Sequence, residues 1–158
     1  MTKVILKSGV SLMGECLFRE CSSLQSFELE SNTNFELGDK GELYVKGKTD
    51  LIQYPLGKET ETDKFTIPTT VKKIRSYSVE SSTFTEISIP SGIETIGEFA
   101  FRYCNNLVSF TAFTGTTYKS VNGVLFKGTE LIHYPAKKTT KKYYIPVDTT
   151  KIHSYSFL

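Results

Sequence analysis

The chain has no tryptophan, and 158 residues hold only two histidines, two methionines, three cysteines and five prolines. Each scarcity excludes something. Three cysteines cannot all pair, so a disulfide framework is not the expected plan, and no Cys-x-x-Cys pair with a nearby histidine offers zinc spacing. The carboxylates are scattered and no glycine-rich loop is placed to cradle phosphate, so neither an acid–base pair nor a nucleotide site is expected. An enzyme, a metal or a cofactor is therefore not expected. Lys and Arg exceed Asp and Glu by a net charge of only +2, which argues against a nucleic-acid partner. No apolar run approaches the ~20 residues of a membrane helix. The N-terminal MTKVILKSGVSLMGE is too short in apolar residues for a secretory signal and has no small-residue cleavage site. With no Asn-x-Ser/Thr acceptor either, the reading favours the cytoplasm, the alternative being a cell surface if the chain is cut from a longer protein.

What the sequence has is repetition, the first thing to seek in any chain. LKSGVSLMGECLFRECSSLQSF, residues 6–27, returns as IPSGIETIGEFAFRYCNNLVSF, residues 89–110. Ser8, Gly9, Gly14, Glu15, Phe18, Arg19 and Cys21 recur as Ser91, Gly92, Gly97, Glu98, Phe101, Arg102 and Cys104. A short unit of about 22–23 residues is marked by Ile67-Pro68, Ile89-Pro90 and Ile145-Pro146, with Leu6-Lys7 in the same place at the start. Units lie at about 6–29, 65–89, 89–112 and 143–158. Around them a longer cassette repeats near 80 residues: DKGELYVKGKTDLIQYP (39–55) answers SVNGVLFKGTELIHYP (120–135). Apolar runs flanking a Gly/Lys/Thr turn read as an inserted β-hairpin.

Within a unit, Phe84-Thr85-Glu86-Ile87-Ser88-Ile89 alternates apolar and polar, which is a strand pattern, and the proline after it ends the strand. The following Ile93, Ile96, Phe99 and Phe101 are spaced too irregularly for a long helix, so a turn and a short helical or 3₁₀ return segment are expected. One strand and one return cannot bury an apolar face alone, whereas stacked copies can. The expected fold is a mostly β repeat solenoid over 1–158, a single domain with two inserted hairpins.

The residues resemble the BspA-like (Treponema pallidum-type) leucine-rich repeats. The pattern stands clearest in Ile87, Ile89-Pro90, Ile93, Ile96-Gly97, Ala100-Phe101, Cys104 and Leu107, and the hairpin at Asn122–Phe126 and Leu131–Pro135 is similar to insertions common in that family. The unit at 67–87 departs from it, with Arg75 for glycine and Ser78-Val79 for Ala-Phe. The resemblance implies a leucine-rich-repeat stack, adhesion or other protein–protein contacts, and no chemistry.

The individual candidates read as structure. Cys21 and Cys104 hold equivalent places as small apolar core residues, and Cys16, opposite Phe99, reads as core as well. His133 stands opposite Gln53 and His153 opposite Arg75, so neither imidazole is required by the repeat. The basic Lys137–Lys142 loop answers an acidic one carrying Glu59, Glu61 and Asp63; both read as solvated tips, with head-to-tail attraction between chains as the sharper alternative. A partner-binding ribbon is expected where strand alternation leaves side chains outside: Ser26 and Glu28, Lys64 and Thr66, Glu86 and Ser88, Ser109 and Thr111, Lys142 and Tyr144. The expected function is non-catalytic recognition of a protein partner through that sheet face. The alternatives are a fragment of a surface adhesin, and a self-assembling protein pairing end to end as a homodimer through uncapped solenoid ends.

Overall fold

The structure is a computed structural model and describes residues 1–58, 63–112 and 117–157. The acidic side chains of Glu59 and Glu61 lie outside the described residues, while Asp63 is exposed. Among the described residues there are fourteen strands and no helix. They are β1 (Lys3–Lys7), β2 (Ser26–Glu30), β3 (Phe35–Leu37), β4 (Leu43–Val45), β5 (Asp50–Gln53), β6 (Lys64–Thr66) and β7 (Lys73–Ile74), then β8 (Glu86–Ile89), β9 (Thr95–Ile96), β10 (Ser109–Ala112), β11 (Tyr118–Val121), β12 (Val124–Lys127), β13 (Glu130–His133) and β14 (Lys151–Ile152).

The chain winds as six coils, each crossing a front face and returning along a back face. On the front, β1 pairs in parallel with β2, and β6, β8 and β10 form a separate parallel sheet with β8 in the middle. On the back, β5, β7 and β9 run parallel, as do β13 and β14. Each inserted segment is a three-stranded antiparallel meander, β3–β4–β5 or β11–β12–β13, whose last strand supplies the back of its own coil. Coils 1 to 3 thus hold β1, then β2 with β5, then β6 with β7. Coils 4 to 6 hold β8 with β9, β10 with β13, and finally β14.

The return segments are not helical. A two-residue strand is followed by two tight turns, and the reason lies in the backbone. Cys16, Tyr77, Phe99 and Tyr155 hold equivalent corners at φ of 58°, 60°, 58° and 61°, and Glu20, Ser81 and Tyr103 repeat the left-handed conformation four residues on. A right-handed helix cannot pass through such residues. Alternate N–H groups then point along the stack instead of up the chain: Tyr77, Val79 and Ser81 donate to the carbonyls of Glu98, Ala100 and Arg102 at 3.3, 2.9 and 2.7 Å. Stacking takes the hydrogen bonds a helix would have used.

The main core runs through coils 2 to 5, with Tyr54, Phe65 and Phe84 in mutual ring contact and Ile74, Ile87, Leu107 and Phe110 beside them. A second cluster under coils 1 and 2 is built on Leu6, Phe18, Leu24 and Phe27. Cys104 is buried, and its Sγ donates to the Val79 carbonyl at 3.2 Å; burial pushes its thiol up to about 11. Cys21 is half-buried against the second cluster. Cys16 is exposed, contrary to the expectation that it packs in the core, because its left-handed corner turns the position outward. Labelling with a thiol reagent in native buffer should therefore modify Cys16 first and Cys104 at least ~100-fold more slowly, since only the thiolate reacts. Mass mapping of the alkylated peptides checks the order, and equal rates at Cys16 and Cys104 would contradict the assigned burial.

Candidate interaction surface

The front sheet gathers six of the ten residues expected to form the ribbon. Register places Lys64, Glu86 and Ser109 in one row and Thr66, Ser88 and Thr111 in the next. Glu86 ties the two rows together: Lys64 Nζ in its own row lies 2.7 Å from Glu86 Oε1, and Thr111 Oγ1 in the next row donates to the same oxygen at 3.2 Å. The Lys64 ammonium, above all, holds the Glu86 carboxyl below the usual carboxylate range. Lys64, Thr66 and Thr111 are exposed, Glu86 and Ser109 half-buried, and Ser88 buried. Ser26 and Glu28 belong to the other front sheet, where Glu28 pairs with Lys3 at 3.0 Å.

Lys142 and Tyr144 are exposed but lie in no strand. The tip of the second meander has taken the edge they would have joined: Phe110 N donates to Gly123 O at 2.9 Å, and Ser120 Oγ to Phe110 O at 2.7 Å. With the free side of β10 occupied, the segment before Ile145-Pro146 finds no ladder. The arrangement also protects an edge strand that would otherwise invite pairing.

A cleft that sequence reasoning missed opens on the back, between β9 and the β13–β14 pair. It has a volume of about 360 Å³ and is walled by Phe99, Phe101, Tyr118, Tyr155, Arg102 and His133. β9 is the last strand of its sheet, and the Tyr118 hydroxyl accepts from Ile96 N at 3.0 Å across the gap. The same gap between coils 1 and 2 is bridged. There Arg75 reaches past β5, its Nη1 donating to Met13 O at 2.9 Å and Gly14 O at 3.2 Å. In the second cassette His153 stands in that place and turns instead to Glu130, at 2.6 Å. The shorter side chain leaves the space unfilled.

His133 shows the same asymmetry. Its counterpart Gln53 donates through Nε2 to the carbonyls of Tyr54, Tyr77 and Ser78 at 2.9, 3.4 and 3.3 Å. The imidazole of His133 packs edgewise on Phe101 and Phe110, its Nε2 has no hydrogen-bond partner, and burial lowers its pKa to about 4. The exchanges at these two positions were visible in the sequence; their joint consequence needed the coil stacking to bring them to one place. Among the described residues no group of three or more His, Cys, Asp or Glu could hold a metal ion, and no helix is long and apolar enough to cross a membrane.

Stacked parallel coils with a pre-formed polar sheet on one face and meanders on the other define a leucine-rich-repeat solenoid. The chain belongs to the BspA type leucine-rich repeat family, whose region it matches in six copies over residues 1–39 and 57–158. Among solved structures it is similar to the pneumococcal vaccine antigen PcpA, at 33% identity and a TM-score of 0.64, over 70% of this chain and 27% of that one. A leucine-rich repeat protein from Eubacterium ventriosum ATCC 27560 matches at 23% identity and a TM-score of 0.57, over 73% of this chain and 37% of that one. A leucine rich cell surface protein from Faecalibacterium prausnitzii A2-165 matches at 19% identity and a TM-score of 0.57, over 99% and 52%. The last two likenesses are of fold. The chain spans about a quarter to a half of the length of these proteins. No protein of curated function matches it.

Proposed function

We propose that the protein is a non-catalytic recognition module that binds a protein partner through the β6–β8–β10 face. The observation that carries this reading is the pair of side-chain rows held in register and linked to each other through Lys64, Glu86 and Thr111. A surface already ordered in the free protein loses little conformational entropy on docking. Its mixture of one ion pair and several hydroxyls suits a polar peptide or loop better than a large apolar anchor.

The test is a lysate pull-down with wild type beside a Thr66→Arg/Thr111→Arg variant, circular dichroism confirming that the variant is folded. Both side chains are exposed, so folding should be untouched while partner recovery falls at least ~10-fold, the equivalent of about 1.4 kcal/mol. A Glu28→Arg control, on the other front sheet, should retain the partner. Equal capture by wild type and the double variant would remove the site from this face.

A second reading places the same recognition on a cell surface, where the partner is a host or neighbouring-cell protein. It is supported by the 33% identity to a pneumococcal vaccine antigen. Protease shaving of intact cells distinguishes the two settings: a surface protein is cleaved while the membrane is whole, a cytoplasmic one only after lysis.

A further inference from the structure

We infer that the cleft between β9 and the β13–β14 pair is a recognition site for the guanidinium of an arginine side chain, presented by a peptide of a partner protein. Both walls of the cleft belong to coils 4 to 6 of this chain, and the inference is independent of the sheet-face reading. It rests on the duplication, because the first cassette holds the same site with an arginine of its own already in place.

In the first cassette two cations of coil 3 reach across coil 2 to coil 1. Arg75 Nη1 donates to Met13 O at 2.9 Å and Gly14 O at 3.2 Å, and its Nε lies 4.0 Å from Asp50 Oδ1. Lys73 Nζ lies 2.7 Å from Glu15 Oε1. In the second cassette the acceptors recur but the cations do not arrive. Ile96, Gly97 and Glu98 stand at the places of Met13, Gly14 and Glu15, and all three line the cleft. Lys151 and His153, at the places of Lys73 and Arg75, turn to Glu130 instead, at 3.9 and 2.6 Å. Glu98 is exposed and has no ion pair among the described residues. The N–H and C=O of a strand residue point to the same side. Ile96 N donates across the gap to the Tyr118 hydroxyl, so Ile96 O faces the cleft as Met13 O faces Arg75.

The walls suit a planar cation. The rings of Phe99 and Tyr155 stand 5.0 Å apart, with Phe101 and Tyr118 also on the cleft, and aromatic faces attract a guanidinium. The first cassette uses such a contact itself: the Arg19 guanidinium lies 4.8 Å over the ring of Tyr77, the counterpart of Tyr155. His133 is a second pointer to a ligand. It lines the cleft at only 8% exposure, and its Nε2 has no partner. Burial lowers its pKa to about 4, so the imidazole is neutral and offers an acceptor without repelling a cation. The two cations on the walls are engaged elsewhere. Arg102 Nη2 donates to the Tyr103 hydroxyl at 2.6 Å and its Nη1 lies 3.9 Å from Glu80, while Lys127 Nζ sits over the Tyr118 ring at 5.9 Å. A carbonyl, a carboxylate and aromatic faces together match the forked donors of arginine better than the compact ammonium of lysine.

Titration with Nα-acetyl-arginine amide, followed by nuclear magnetic resonance, tests the site, because the two histidines of the chain, His133 and His153, both line the cleft. Their ring signals should move together and saturate in the millimolar range. Nα-acetyl-citrulline amide, which keeps the shape but not the charge, should bind at least ~10-fold more weakly. Glu98→Gln, at an exposed position, should weaken the arginine probe about 3-fold. His153→Arg supplies the side chain that the first cassette places there, so it should melt above wild type and lose the binding, as read at His133. Four results would each overturn the inference: both signals unmoved by the arginine probe, equal binding of the citrulline probe, binding of Nα-acetyl-glutamate amide in its place, or undiminished binding by folded His153→Arg protein.

Discussion

Wild-type protein should lose about 2 kcal/mol of unfolding free energy between about pH 7 and pH 5, and His133→Gln should lose almost none of it. His133 is buried, its Nε2 is unpartnered, and burial holds its pKa at about 4 in the folded state, against about 6.5 for an ordinary imidazole. Between those two values the unfolded chain takes up a proton that the folded chain refuses. Stability therefore falls as pH drops through about 6.5 and continues to fall until about pH 4, below which both states are protonated. The full difference is of order 3 kcal/mol. Glutamine is the residue the first cassette uses at this position, where Gln53 satisfies three carbonyls at once. Carboxylates held low by their partners, such as Glu86, Glu15 and Glu130, lose their contribution mainly below the ordinary carboxylate range, in a lower pH window. Urea titrations of both proteins at the two pH values measure the effect. Identical pH slopes would show that His133 is not the cause.

Gly97→Val should destabilise the fold by about 3 kcal/mol, the upper end of what overpacking costs, while Gly14→Val should stay within about 0.5 kcal/mol of wild type. The two glycines occupy the same place in equivalent units and differ only in what lies against them. At Gly97 the obstruction includes the Ser76 nitrogen and the Arg75 carbonyl carbon, backbone atoms that no rotamer change can move aside. Relief requires coil 4 to lift from coil 3, which weakens the 2.8 Å bond from Gly97 N to Ile74 O and the burial of Ile74 beside it. Thermal melts of dilute protein separate the variants. Comparable losses at both positions would mean that the cost is conformational and not a matter of stacking distance.

Much of the architecture was legible because the repeat states each instruction several times. The Ile-Pro landmarks and the alternation before them pointed to a stack of mostly β coils, and the spacing placed Lys64, Glu86 and Ser109 in adjacent strands; the two inserted segments, read as hairpins, each add a third strand and with it the back of a further coil. The return segments were misread for a physical reason. The left-handed corners are occupied by Cys16, Tyr77, Phe99 and Tyr155, none of them glycine or asparagine, so side-chain chemistry carried no sign of the backbone they adopt. Lys142 and Tyr144 satisfy strand alternation locally but lose their ladder to the tip at Gly123, a contact between segments that alternation cannot anticipate. The cleft escaped because it arises from what His153 does not reach, and reach is a property of the fold.

The long side chains of Arg75 and Lys73 bear on how the molecule would respond to mechanical load. Ordinary coils are tied to their nearest neighbours, so tension between the termini would peel them one at a time, each releasing on the order of 75 Å of chain. Arg75 and Lys73, however, reach from coil 3 to Met13, Gly14 and Glu15 in coil 1, skipping the coil between. The N-terminal half is thereby fastened as a block of three and should yield in one larger step. In the other half, where His153 folds back on Glu130, the tilted ring contact of Phe99 and Tyr155 is a weaker fastening, and that half should be the first to give way.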